Sequence, residues 1–436
     1  MTSEPTRPTS ADAAPRTIAR RVEGAALVVA FLAVHVVLGY LAVTIANQPL
    51  GDVTITYRNW VTQGVVSGRW VGLDSDSVYP IVALVPMILA ASGGVASIGT
   101  GWLVLMTLLD LGVLAMLWRR RVAGVRVAWW WTVFLLALGP IAVGRIDTVA
   151  TALALVAVVV VAARPGLAAA LFTLAAWVKV WPAALAGVLI GLRRGRRREA
   201  TVGAIVVSGV VVAIDLVLGG GAHLLSFVGE QAGRGLQIES PLATPFLWRA
   251  QAGVPDTSVY YDQQILTFQV SGSGTAAAAA LSTPLMVLVT LTVVLLAVRA
   301  VLGHARRAEV APVLAMALTA ALIVTNKVGS PQYVGWFAVP VVWGLIAGAP
   351  SARRFLLPAT TALVAAIATQ MVYPAYYDRI LALDPPMLVV LSVRNALEIG
   401  LLVWAMVTLA RLSRRGHGVE GRITARGQQH AGSMDA

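Results

Sequence analysis

The 436-residue sequence has no cysteine and little charge. Without cysteine there can be no disulfide, no thiolate nucleophile and no thiolate-bound metal. Asp, Glu, Lys and Arg together make up 12% of the residues, against 58% hydrophobic ones. A soluble domain carries about 25% charged residues, so this chain lacks the charge to cover a water-facing surface. The same composition excludes collagen-like, disordered and disulfide-scaffold classes. Lysine is almost missing: of 33 basic residues, all but Lys179 and Lys327 are arginine. A Gly-x-x-x-x-Gly-Lys loop is also absent, so nucleotide phosphates have no backbone cradle of that kind.

Long apolar runs are what the chain does have. The first, about 24–46, is long enough to cross a bilayer and suits an anchor. Others lie at about 101–118, 127–143, 148–163, 167–192, 201–218, 276–302, 310–325, 333–349, 355–374 and 386–410. The run 167–192 is too long for one ordinary span and carries Lys179 and Pro182 near its middle. It reads as two half-length helices broken at Val178–Pro182. The shorter run 80–97 holds Pro80 and Pro86 and reads as an interfacial or re-entrant helix. The fold class is therefore an all-α polytopic membrane bundle with about 12 membrane helices. Residues 1–21 and 413–436 read as disordered tails around one membrane domain at 22–412.

The net charge of +13 could suggest nucleic acid, but its placement argues otherwise. With the N-terminus inside, alternation puts Arg119–Arg121, Arg164, Arg193–Arg198, Arg306, Arg307, Arg353 and Arg354 on the cytoplasmic side. That is the positive-inside rule, and it needs no nucleic-acid partner. Both termini are then cytoplasmic, and two long outer segments, about 47–97 and 219–275, face the other way.

The chemistry-bearing motifs gather on that outer side. They are Gly51-Asp52, Tyr79-Pro80, Gly144-Arg145-Ile146-Asp147, Lys179-Val180-Trp181-Pro182, Arg234 to Pro241, and Asn326 to Tyr333. Both lysines defy the inside trend; cations at helix breaks on a membrane boundary suit an anionic ligand in the interface, a lipid phosphate first of all, or simply snorkel to it. Asp52 is placed to act as general base toward a sugar hydroxyl, or to sit in a turn after Gly51. Tyr57, Trp60, Trp70 and Tyr79 could stack on sugar faces or form an interfacial belt. Asp147 could cap its helix or pair with Arg145. Arg234 and Glu239, in the long second loop, could make acceptor contacts or be solvated loop residues. Asp74 and Asp76 could hold a divalent cation or be solvent-exposed, and no metal or other cofactor is indicated. His35, Asp110 and Glu398, inside spans, read as buried hydrogen-bond partners.

The order of these motifs resembles the GT-C superfamily of membrane glycosyltransferases. In particular, it is similar to glycosyltransferase family 87, the actinobacterial polyprenyl-phosphate-mannose-dependent alpha-mannosyltransferase-like proteins. The resemblance rests on Gly51-Asp52, Val78-Tyr79-Pro80, Leu138-Gly139-Pro140 running into Gly144-Arg145-Ile146-Asp147, Ala175 to Pro182, and Lys327 to Trp336, over about residues 24–410. Where many relatives have a second proline after Tyr-Pro, this chain has Ile81. Where they have Gly-Gln, it has Gly144-Arg145.

The resemblance implies a GT-C-type bundle that moves a sugar, mannose by default or a pentose such as arabinofuranose, from a polyprenyl-phosphate donor to a glycolipid or glycan acceptor. Inversion at the anomeric carbon, on the outer face of the plasma membrane among membrane lipids, follows with it. By position it makes Asp52 the catalytic base. Lys327, Lys179 and Arg145 would hold the donor phosphate. Tyr79, Asp147, Arg234, Glu239, Ser330, Gln332 and Tyr333 would bind substrate. The alternative is a polytopic lipid or glycolipid transporter without transferase activity, which would favour inverted repeats and midplane polar residues; no repeat is evident, and the polar motifs sit at one face.

Overall fold

A computed structural model describes residues 10–431. Its helices are α1 (Ser10–Thr44), α2 (Arg58–Ser67), α3 (Leu84–Ala90), α4 (Ile98–Trp118), α5 (Arg121–Leu138), α6 (Asp147–Val160), α7 (Pro165–Val178), α8 (Ala183–Leu192) and α9 (Arg197–Val217) in the first half. Then come α10 (Ser226–Ala232), α11 (Thr244–Gln251) and a hairpin of β1 (Ser258–Asp262) and β2 (Thr267–Ser271). The second half holds α12 (Thr275–Leu302), α13 (Arg307–Val324), α14 (Ala338–Ile346), α15 (Ala349–Arg354), α16 (Leu356–Gln370), α17 (Tyr377–Leu381) and α18 (Pro385–Ala431).

The protein is an all-α polytopic membrane protein. Among the described residues, eight helices are long and apolar enough to cross a membrane, within α1, α4, α5, α9, α12, α13, α16 and α18. Four shorter apolar helices accompany them: Ile81–Ala90, α6, α7 and α8. Apolar side chains on α9 and α12 stay exposed in long rows, including Ile205, Val210, Leu288 and Leu295, as lipid-facing helices require. α6 and α13 lie at the centre, and their buried faces are rich in alanine (Ala150, Ala154, Ala157, Ala315, Ala317, Ala320). Small residues let backbones approach closely where lipid offers no hydrophobic drive.

The break in the run 167–192 falls where the sequence places it. Pro182 has no amide hydrogen and its ring would clash with the carbonyl four residues earlier, so the helix cannot continue. Lys179 takes an extended conformation (φ −151°, ψ 124°), and α8 restarts at Ala183. The segment 81–90 rises only about 15 Å at 1.5 Å per residue, half a hydrocarbon core; it packs against α4.

Two features differ from expectation, while α1 begins at Ser10 and α18 runs to Ala431. The outermost residues of the two tails, 1–9 and 432–436, lie outside the described residues. The run 333–349 is not one straight span but a 3-10 turn, Pro331–Phe337, leading into α14. The second outer segment contains a β-hairpin, whose strands pair antiparallel with Ser258 opposite Ser271.

The chain alternates between two ends of the bundle. Arg119, Arg164, Arg193–Arg198, Arg306 and Arg307 fall in connections or helix starts at one end, and the Asp52, Gly144–Asp147, Lys179–Pro182 and Asn326–Ser330 segments fall in connections or helix starts at the other.

Candidate active site

Two crossed ion pairs form the centre of the second end. Asp52 begins a short helical turn (Asp52–Tyr57) beyond α1. Its Oδ2 lies 3.2 Å from Nε of Arg145. Arg145 is held on several sides: it donates to the carbonyls of Pro49 and Gly144 and, at 3.3 Å, to the Tyr373 hydroxyl. That hydroxyl in turn donates to the Asn47 carbonyl at 3.0 Å. The close approach depends on Gly144, where a Cβ would stand 2.6 Å from the Pro49 carbonyl oxygen. Ile146 N–H donates to the Tyr57 hydroxyl and Trp102 Nε1 donates to the Val143 carbonyl, so the loop before α6 is pinned on both sides. The Arg145 side chain is 11% exposed and that of Asp52 36%, which leaves the carboxylate within reach of a ligand.

Asp147, the first residue of α6, makes the second pair. Its Oδ2 lies 3.5 Å from Lys179 Nζ, and its Oδ1 accepts from Trp336 Nε1 at 2.8 Å. Lys179 comes from the break between α7 and α8 and stands 4.5 Å from the ring centre of Tyr79 and 5.9 Å from that of Tyr333. Trp336 stacks on Trp181 (5.1 Å, 11°) and contacts Tyr333. The ammonium therefore sits against aromatic faces that attract cations. Asp147 stands in the first turn of α6, and its cation is Lys179 rather than Arg145. Arg145, expected at a donor phosphate, is turned onto Asp52.

Tyr79 joins the two pairs. It packs edge-on against Tyr57 and Trp60 at 6.3 and 6.0 Å. Burial, then the neighbouring Asp52 and Asp147 charges, raise its phenol far above the usual tyrosine range. It stays a neutral hydroxyl between two carboxylates.

A second layer brings distant motifs together. Segment 234–241 packs on segment 326–330: Gln237 N–H donates to the Lys327 carbonyl at 3.0 Å and Ser240 Oγ to the Asn326 carbonyl at 2.6 Å. A Cβ on Gly329 would lie 2.0 Å from Ser240 N, so only glycine fits. β2 supports this layer, with Val270 N–H donating to the Leu236 carbonyl. Lys327 is half-buried here, and loss of water lowers its ammonium below the usual lysine range. Arg234 is near enough to influence the Tyr333 hydroxyl, and its buried Nε has no hydrogen-bond partner. Ser330 precedes the 3-10 turn and accepts from Tyr333 N–H at 3.1 Å through its carbonyl.

Other expected residues are engaged elsewhere. Glu239 points into the bundle, where its Oε2 meets Arg394 Nη1 at 3.1 Å; it is not presented for acceptor contacts. Arg394, in the middle of an apolar run on α18, also lies 3.7 Å from Glu398. Burial raises the Glu239 carboxyl to about 6, with Arg394 opposing the shift. Gln332 lines a small cleft beneath Asp147 with Thr148 and Thr151. His35 and Asp110 pair with each other at 3.3 Å. Asp74 accepts from Trp70 N–H, and Asp76 lies 2.7 Å from His223. Tyr373 and Arg394 were not singled out by sequence. An aromatic among many and one arginine in a membrane run carry no local motif, though an arginine inside a span is itself a signal for a buried acid.

Residues 78–249 match the model of glycosyltransferase family 87. The matched stretch holds Tyr79, Arg145, Asp147, Lys179, Arg234 and Glu239; Asp52 and the 326–333 segment lie outside it. The match supports a membrane glycosyltransferase. No curated protein and no solved structure matches the chain.

Proposed function

We propose that the protein is an inverting glycosyltransferase that takes a sugar, mannose by default, from a polyprenyl-phosphate donor. Asp52 serves as general base. The acceptor is a glycolipid or glycan, and the reaction runs on the outer face of the plasma membrane, with the arginine-rich end cytoplasmic. The observation that carries this reading is the exposed Asp52 carboxylate, fixed by Arg145 beside a second carboxylate–cation pair at one end of the bundle.

In the proposed step Asp52 takes the acceptor hydroxyl proton as that oxygen bonds to the anomeric carbon. The carbon–oxygen bond to the donor phosphate breaks, and polyprenyl phosphate leaves with the electron pair. Lys179, Lys327 and Arg234 meet the growing charge on the phosphate through charge-assisted hydrogen bonds. Arg145 positions the base and, as Asp52 is neutralised, also meets the charge growing on the departing phosphate. Tyr79, Trp60 and Tyr333 offer faces and hydroxyls to the sugar, and the lipid chain follows apolar surface between helices. The charge of the phosphate is carried by side chains in this scheme, without a resident metal.

Transfer from radiolabelled polyprenyl-phosphate sugar in membranes tests the proposal. Asp52→Asn should lower turnover about 10²–10⁴-fold, the usual contribution of a general base, with the protein still present and folded. Retained activity would remove Asp52 from that role. Lipid movement across the bilayer without transfer would favour the transporter alternative.

A further inference from the structure

The end of the bundle away from Asp52 holds a larger opening. There α6, α8, α13 and α14 enclose a cavity of about 480 Å³. One wall is apolar, built from Val158, Val188, Leu189 and Trp343. The mouth carries five guanidinium groups, from Arg120, Arg193, Arg194, Arg196 and Arg307, and no carboxylate of the described residues lines it.

Part of the capacity of four of these groups goes to helix ends. Arg120 donates to the Val159 carbonyl, Arg193 to that of Val161 at 3.1 Å, Arg196 to that of Ala163 at 2.9 Å, and Arg307 to that of Leu192 at 3.4 Å. These carbonyls lie at the C-terminal ends of α6 and α8, where the helix dipole is negative, and that explains why arginines gather. It does not explain the open volume. Each guanidinium has five N–H donors, so most remain available. Among the described residues Glu199 binds only Arg196, at 2.8 and 2.7 Å, leaving four positive charges around an apolar-walled space.

We propose that this cavity binds a phosphate-bearing amphiphile. Its phosphate sits among Arg193, Arg194 and Arg307, and the start of its chain lies against Val188, Leu189 and Trp343. A bidentate guanidinium suits phosphate oxygens, and basic pockets between membrane helices suit anionic head groups. The site is separate from the Asp52 end: the 14 residues of α6 put about 20 Å between Asp147 and the cavity. The same helices join both ends, since α6 starts at Asp147, α8 follows Lys179 and α13 ends before Lys327. A phospholipid of the surrounding leaflet and a polyprenyl phosphate share the required chemistry.

Native mass spectrometry of the purified full chain tests this by counting bound equivalents. The probes are phosphatidylglycerol, polyprenyl phosphate and inorganic phosphate, each offered separately. Two variants are compared with wild type. Arg193→Gln/Arg307→Gln removes charge. Ala308→Trp fills the cavity from an exposed position on its lining and keeps every arginine. The Asp52 end is untouched in both, so any equivalent bound there persists and the outcome does not depend on transferase activity. The expected result is one amphiphile equivalent lost, or weakened more than about tenfold, 1.4 kcal/mol, in both variants. Loss confined to phosphatidylglycerol assigns a membrane phospholipid, and loss confined to polyprenyl phosphate assigns the carrier lipid. Unchanged amphiphile binding in both variants, or inorganic phosphate binding as tightly as the amphiphiles, overturns the proposal.

Discussion

Lys179→Met separates two roles that the geometry gives one ammonium. The substitution leaves the Asp147 carboxylate, 4% exposed and 3.5 Å from the lost charge, without its cation. At that distance and an effective dielectric of about 20 the direct attraction is about 5 kcal/mol, and removing one member of a buried pair costs about 3–5 kcal/mol in measured cases. Asp147→Asn in the same chain removes the stranded charge while its amide oxygen still accepts from Trp336 Nε1. The double variant should therefore recover most of the stability lost by Lys179→Met, an interaction term of several kcal/mol in a double-mutant cycle. Thermal unfolding of detergent-purified protein reads this for wild type, both single variants and the double variant. Sugar transfer is measured on the same samples. If Lys179 also meets the donor phosphate, the double variant is stable and inactive. A stable double variant with wild-type transfer would confine Lys179 to balancing Asp147. A Lys179→Met chain as stable as wild type would refute the electrostatic reasoning.

Arg145→Gln should lower kcat and leave the donor KM nearly unchanged, since the guanidinium faces Asp52 before reaction; a raised donor KM would instead make Arg145 a ground-state phosphate ligand. Glu239→Gln should flatten the pH dependence of thermal stability. The wild-type carboxyl, raised from 4.5 to about 6, holds its proton more tightly folded than unfolded. It therefore contributes stability below pH 4.5 that is lost as pH rises through 6, about 2 kcal/mol at 1.36 kcal/mol per unit. A variant whose melting temperature follows the wild-type pH curve would contradict this. Gly329→Ala should lower both stability and transfer, because its Cβ would overlap Ser240 N and push segment 234–241 off segment 326–330; equal melting temperatures would show that the layer can yield.

What the sequence made legible is tied to strong local rules. Pro182 after Lys179 marks a helix break because a missing amide hydrogen and a ring clash act within four residues. Arginine clusters mark one end because unpaired guanidinium groups stay out of hydrocarbon and gather on the cytoplasmic side. The pairing of charges was not legible in this way. Arg145 lies two residues from Asp147 but pairs with Asp52, and Asp147 takes Lys179, because the backbone of Gly144 and the break at 179–182 aim the side chains, and neither direction is written in spacing. Glu239 looked available since its loop is long, yet Arg394, separated by 155 residues, draws it inward. The hairpin escaped because two five-residue strands in a polar segment carry too few alternations to stand out.

The two ion pairs also bear on how base and leaving group can act together. Before reaction the cluster is balanced, with Asp52 against Arg145 and Asp147 against Lys179. On the proposed scheme, Asp52 becomes neutral as it takes the acceptor proton, and at that moment the departing phosphate gains its second negative charge. Arg145 then faces a neutral acid on one side and a growing anion on the other, in a site where its charge is poorly screened by water. Its attraction to the phosphate is thus realised mainly in the transition state, where binding energy raises kcat and leaves ground-state affinity alone. The place that resemblance gives Arg145 among the phosphate cations and its observed grip on Asp52 are then two stages of one role. The kinetic signature follows from it: Arg145→Gln should lose turnover at constant donor KM, whereas loss of a cation that meets the donor before reaction, as proposed for Lys327, should raise donor KM.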